Sequence, residues 1–202
     1  MLELSRFDYY LIAINIIGFL YFIIYIYFLA SESSNISDTI MTILSLCFGS
    51  LGIALSIIIF GRTPKYRKKE TMMSRVFIWC ILVIQIILLL IIKGYIKNDL
   101  TINAIEYFKA NPIIVIYLLV INIITLIAFA LDKMHSIEGH KRIRISVLLF
   151  LSFIGGSIGA LLAMYIFRHK TRQDYFTVGV PLTIIMQLFC IFYLMNRPEE
   201  ER

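Results

Sequence analysis

Six stretches of this chain, 9–30, 40–60, 76–92, 113–131, 145–167 and 178–195, approach or exceed the length at which an apolar helix crosses a bilayer. That length is about 20 residues at 1.5 Å per residue. Lipid offers no partner for a peptide N–H or C=O, so a stretch of this kind must satisfy its backbone by coiling. The third and sixth stretches are short, but Arg75 and Lys93 flank the third and Asn196 and Arg197 follow the sixth. Such side chains reach outward and lengthen a span. The expected class is all-α, a polytopic membrane protein with six hydrophobic helices and loops too short for a soluble domain, so that 1–202 forms one membrane domain.

Composition agrees. The chain is 60% hydrophobic and 16% charged, whereas a soluble domain is about 45–50% apolar and about 25% charged. The net charge of +6 fits basic loops facing anionic lipid, and no nucleic-acid partner is expected. Cys47, Cys80 and Cys190 each lie within an apolar run. They have no C-x-x-C or metal-ligand spacing and read as small buried hydrophobes. The first run is longer than a signal-peptide core and lacks a small-x-small site before Ser31, so it is expected to stay on the chain.

Shifting the sequence by 107 residues places Asn15 on Asn122, Leu44-Ser45 on Leu151-Ser152, Gly49-Ser50 on Gly156-Ser157, Gly52 on Gly159 and Ile59-Phe60 on Ile166-Phe167. With five extra residues in the first loop, Gln85 also meets Gln187. Apolar matches arise easily by chance, but Asn, Gln, Gly and Ser are uncommon in such segments. The pattern predicts two related three-helix units, a first copy over 9–92 and a second over 113–195.

If every segment spans, each unit is odd-numbered and the copies are inverted. Thirteen Lys and Arg then lie on one side and six on the other, which puts both termini in the cytoplasm of a multi-pass cell-membrane protein. The alternative has four spans plus two re-entrant hairpins at the glycine-rich segments. It divides the charges identically but places both termini outside. Six full spans are the expected topology, because Gly49, Gly52, Gly155, Gly156 and Gly159 in membrane helices serve more often as helix packing notches than as a break.

Arg168-His169-Lys170-Thr171-Arg172 follows the fifth segment and precedes Tyr175 and Phe176. Arg168, His169, Lys170 and Arg172 are candidates for anionic lipid-headgroup binding, against the plainer role of anchoring a helix end. Asp132 closes the fourth helix and is expected to form an ion pair with Lys133, Arg142 or Arg144 nearby. Asp132, His135, Glu138 and His140 are possible metal ligands, but their spacing matches no known site and no metal or other cofactor is expected. Asn15, Gln85, Asn122 and Gln187 either line a polar path or hydrogen-bond helix to helix. The loop 62–69 carries five cations and reads as facing phospholipid. No nucleophile elbow, P-loop or paired intramembrane carboxylates are present, and no catalytic residue is assigned.

The second half carries a further pattern: Asp132-Lys133 at a helix end, Arg144-Ile145-Ser146, Gly155-Gly156 with Gly159, then Arg168-His169-Lys170-Thr171. From about 122 to 176 it resembles the small bacterial membrane family catalogued as domain of unknown function 1294. The resemblance implies a short membrane unit and no assigned activity. Val147 stands where that family commonly has Glu. In the first half, Tyr25-Ile26 and Gly61-Arg62-Thr63-Pro64 replace the charged elements, so one charged constellation per chain is expected.

Three functions remain, in order of preference. The first is a lipid-binding or scaffold protein, with anionic lipids and a membrane-protein partner or a second copy as partners. The second is a small-solute transporter or channel with a site at the repeat interface. The third is an enzyme acting on a lipid headgroup, which needs a carboxylate within hydrogen-bond reach of His169; Asp174 is the near candidate in sequence.

Overall fold

The long apolar runs do coil, and the computed structural model describes residues 5–28, 40–60, 71–96, 100 and 102–197. The basic loop 62–69 lies outside them. Among the described residues, six helices are long and apolar enough to cross a membrane. The chain divides into two compact units, 1–86 and 87–202, with the boundary inside a helix.

Unit 1 is built from α1 (Arg6–Phe28), α2 (Ile40–Phe60) and most of α3 (Thr71–Ile92). α1 starts with a reciprocal cap: the Ser5 amide and hydroxyl donate to Asp8 Oδ2 at 3.0 and 2.9 Å, and the Asp8 amide donates to Ser5 Oγ at 3.2 Å. This satisfies amides that a helix start leaves unpaired. Phe22, Tyr25, Met41, Ile53, Ala54, Ile57 and Ile78 form the core.

Unit 2 contains α4 (Ala104–Ala110), α5 (Pro112–Glu138), α6 (Ile145–Ile166), α7 (Asp174–Thr177) and α8 (Gly179–Asn196). Pro112 opens α5, where its missing N–H costs nothing, and Gly139 closes it at φ 72. Phe129, Leu148, Ala160, Ala163, Met164, Phe176, Val180 and Met186 are buried.

α2 and α6 are each broken in the middle. In α2 the backbone leaves helical geometry at Cys47 (φ −78, ψ 25) and Phe48 (φ 71, ψ 15). In α6 it does so at Gly155 (φ 133, ψ −11). Each helix then doubles back. Met41 and Ile57, at opposite ends of α2, pack in one cluster with Phe22 and Tyr25. The Ile143 amide and the His169 ring, before and after α6, both reach the carboxylate of Asp132. The arms of α6, Ile145–Leu151 and Ser157–Ile166, contain 7 and 10 residues. The longer is about 15 Å, half of a hydrocarbon core of about 30 Å.

The glycines serve both expected roles. Gly155 makes the break, while Gly52 and Gly159 let two backbones meet. A Cβ on Gly52 would lie 1.9 Å from the Asn15 carbonyl oxygen, and one on Gly159 would lie 2.1 Å from that of Asn122. Outward faces are strongly apolar: Ile12, Ile16, Leu20 and Ile24 on α1, and Ile116, Leu119, Ile123 and Ile127 on α5, are exposed at helical spacing. Stripes of this extent mark a surface that meets something other than water.

Candidate functional site

Breaking a helix strands carbonyl groups, and each hairpin tip recovers them with side chains. In unit 2, Tyr117 donates its hydroxyl to the Ile154 carbonyl, and the Asn122 amide donates to Leu118 O at 2.7 Å and Gly155 O at 3.0 Å. The Gly159 amide donates to Asn122 Oδ1 at 2.6 Å. Gln187 donates to Ser152 O at 2.7 Å and accepts from the Ser157 hydroxyl.

In unit 1, Tyr10 donates to Cys47 O at 2.8 Å, and Asn15 donates to Leu11 O and Phe48 O at 2.8 and 2.9 Å. There the Gly52 amide donates to Asn15 Oδ1 at 2.8 Å, and Gln85 donates to Ser45 O at 2.6 Å and accepts from the Ser50 hydroxyl. An unsatisfied buried peptide group costs about 1–3 kcal/mol, so these side chains hold the tips shut. Asn15, Asn122, Gln85 and Gln187 thus act as structural donors and acceptors between helices.

At the base of the unit 2 hairpin lies Asp132, a fully buried carboxylate. Its Oδ1 accepts from the Ile143 amide at 3.0 Å. Its Oδ2 meets His169 Nε2 at 2.9 Å and Lys170 Nζ at 2.8 Å. Lys170 is almost wholly buried, and its Nζ stands 4.8 Å from the ring centre of Phe176, which packs edge-on against Phe129 at 5.4 Å. The ring face supplies a second attraction for the ammonium. A buried charge survives only when paired and hydrogen-bonded, and both conditions hold here.

Because α6 leaves from Ile143 and returns at His169, the basic stretches 141–144 and 168–172 come to the same end of the unit. Lys141, Arg142, Arg144, Arg168 and Arg172 are all exposed there. Residues 122–176 match the family model described as protein of unknown function, DUF1294. An uncharacterized protein of Bacillus subtilis (strain 168), YsdA, is 34% identical over 83 residues, covering 40% of this chain and 93% of that protein. The chain belongs to DUF1294. No solved structure matches it.

The DUF1294 match begins at Asn122 and ends at Phe176, so it encloses the tip of the second hairpin, both of its arms, and the Asp132, His169 and Lys170 cluster. Asp132 takes its cation from Lys170 and its second partner from His169, not from Lys133, Arg142 or Arg144. The four residues 168, 169, 170 and 172 separate into two pairs: His169 and Lys170 turn inward to Asp132, while Arg168 and Arg172 face out. The carboxylate within reach of His169 is Asp132; the Asp174 side chain lies outside the described residues.

His140 Nδ1 meets Glu138 Oε2 at 3.0 Å in an exposed loop, and among the described residues no three His, Cys, Asp or Glu side chains converge as metal ligands would. Tyr10 and Tyr117 are tip residues that the sequence expectations above do not include. Their signal was present, since they too are 107 residues apart.

Proposed function

We propose that the chain is a membrane protein whose second unit binds anionic phospholipid headgroups with the cations around the mouth of the α6 hairpin. One observation carries this reading: Asp132 ties together Ile143, His169 and Lys170, so two basic stretches separated by a whole helix flank one point. Cations at a membrane surface attract anionic lipid by about 1 kcal/mol each. Arg adds the ability to grip a phosphate with two parallel hydrogen bonds.

The same reading makes α2 and α6 re-entrant hairpins and α1, α3, α5 and α8 the four spans. The stretches 62–75, 133–144 and 168–172 then face the cytoplasm and both termini face away from it. It also makes the units two copies of one ancestral element. The recurrence of the Tyr10 and Asn15 tip hydrogen bonds 107 residues later, at Tyr117 and Asn122, supports this. So does YsdA, for which 83 residues are 93% of the length, about one unit.

The test is lipid retention by the full chain in detergent, read by native mass spectrometry with phosphatidylglycerol and phosphatidylcholine. Preferential retention of phosphatidylglycerol is expected, falling at least tenfold when Arg144, Arg168 and Arg172 are together replaced by Gln. Equal retention of the two lipids sinks the proposal.

The 2.9 Å contact between Asp132 and His169 favours a second reading, an enzyme with His169 as acid or base on a headgroup. His169→Gln abolishes turnover under that reading and leaves lipid retention largely intact under the first. The transporter reading keeps the duplication as its motive but not the Asn and Gln residues, because the amides of Asn15, Asn122, Gln85 and Gln187 are taken up by the hairpin tips.

A further inference from the structure

Two helices in this chain stop in the same way with different residues. α3 ends at Gly94, φ 80: the Gly94 amide returns to Ile91 O at 3.0 Å and the Tyr95 amide to Leu90 O at 2.9 Å. α6 ends at Arg168, φ 44: the Arg168 amide returns to Tyr165 O at 3.4 Å and the His169 amide to Met164 O at 3.2 Å. A helix stop of this kind needs a left-handed residue just past its end, and glycine is usual because it has no Cβ to crowd the backbone.

Lys170 is also left-handed, at φ 62, but its strain is offset by the pair with Asp132 and by the ring of Phe176. Arg168 has no such return. Its side chain is exposed and makes no ion pair or hydrogen bond among the described residues. Strain with no compensation inside the fold points to a use outside it.

We infer that Arg168 is the residue that contacts the bound phosphate, kept at a glycine position for its guanidinium, whereas Lys170 and His169 only set the turn that aims it. The inference rests on the anionic-lipid reading for the source of the phosphate. The group recognised is a phosphate with two free oxygens available to a planar fork, whether on a lipid headgroup or in solution. Exposed Arg172 and Arg144 supply attraction around the same mouth.

The experiment compares wild type with Arg168→Gly and Arg168→Gln in the full detergent-purified chain. It measures melting temperature and protection by phosphatidylglycerol, phosphatidylcholine or inorganic phosphate. Arg168→Gly is expected to melt about 1–3 °C higher, since the strain relieved outweighs the extra freedom that glycine gives the unfolded chain. Its protection by phosphatidylglycerol should weaken about tenfold. Arg168→Gln should keep the wild-type melting temperature and lose the protection.

An Arg168→Gly chain that is less stable than wild type, or is equally protected by phosphatidylglycerol, overturns the inference while leaving the lipid reading intact. Protection of wild type by inorganic phosphate alone, lost in Arg168→Gly and without preference between the lipids, supports Arg168 and overturns the lipid reading. A wild type protected by none of the three overturns both.

Discussion

At the tip of its hairpin, unit 1 holds the carbonyls of Cys47 and Phe48 with Tyr10 and Asn15, and unit 2 holds those of Ile154 and Gly155 with Tyr117 and Asn122. At the base the two part company. Tyr25 is buried among Phe22, Met41 and Ile57 in unit 1, whereas Asp132, 107 residues later, gathers His169, Lys170 and the Ile143 amide. In the re-entrant arrangement proposed above, each tip lies in a solvent without hydrogen-bond partners, so its carbonyls must be satisfied and its side chains have little freedom to change. Tyr25 sits in an apolar cluster where Asp132 sits among polar partners; residues 61–70, which correspond to 168–177, lie outside the described residues. In unit 2 the base carries the buried Asp132–Lys170 pair, the feature on which the proposed headgroup site is built.

The largest expected effect tests that contrast. Asp132→Leu leaves the Lys170 ammonium buried and unpaired, which costs about 3–5 kcal/mol. Thermal unfolding in detergent should then drop by roughly 10 °C. Adding Lys170→Met removes the orphaned charge and should recover most of the loss, short of wild type by about 1–3 kcal/mol because the Ile143 amide still lacks its acceptor. If Asp132→Leu alone melts with wild type, the carboxylate does not hold the base of the hairpin and the comparison between the units loses its meaning.

A smaller effect tests the likeness. Gly52→Ala and Gly159→Ala each press a methyl group against a backbone carbonyl, at 1.9 and 2.1 Å from the Asn15 and Asn122 oxygens. Each should cost about 1–3 kcal/mol through forced backbone shifts. Melting curves of the two variants should be displaced by similar amounts. If one substitution is silent and the other severe, the tips are not equivalent.

Much of this was legible before any coordinates. The six apolar runs follow from the length that lipid demands, and the paired Asn15 and Asn122, Gln85 and Gln187 stood out because such residues are costly in apolar segments. The partner of Asp132 was not legible. Lys133 and Arg144 are near in sequence, but Lys170 is brought close only because α6 turns back, the alternative that the glycine-rich segments left open beside six full spans. Glycine was an unreliable guide to it: in unit 2 the left-handed residue is Gly155, but in unit 1 it is Phe48, with Gly49 one place further on. Long-range placement of this kind depends on how arms pack, which periodicity in one segment does not encode.

The smallest expected effect concerns Phe48 itself, where the two tips differ. Unit 2 puts Gly155 at this place (φ 133), and unit 1 puts a bulky aromatic at φ 71. A left-handed residue with a side chain carries about 1–2 kcal/mol of strain. Phe48→Gly removes that but gives up the edge-on contact of its ring with Phe7 at 6.3 Å, a loss of about 0.5–1.5 kcal/mol. It also gives the unfolded chain more freedom, about 0.5–1 kcal/mol against folding. These contributions nearly cancel, so Phe48→Gly should melt within about 3 °C of wild type. Gly155→Ala should melt lower, since its new Cβ takes on the strain and sits 3.2 Å from Ile121 Cγ2. A large loss in Phe48→Gly would mean that the aromatic pair with Phe7, rather than the Asn15 and Gln85 hydrogen bonds, closes the first hairpin, and the two tips would then be alike in form only.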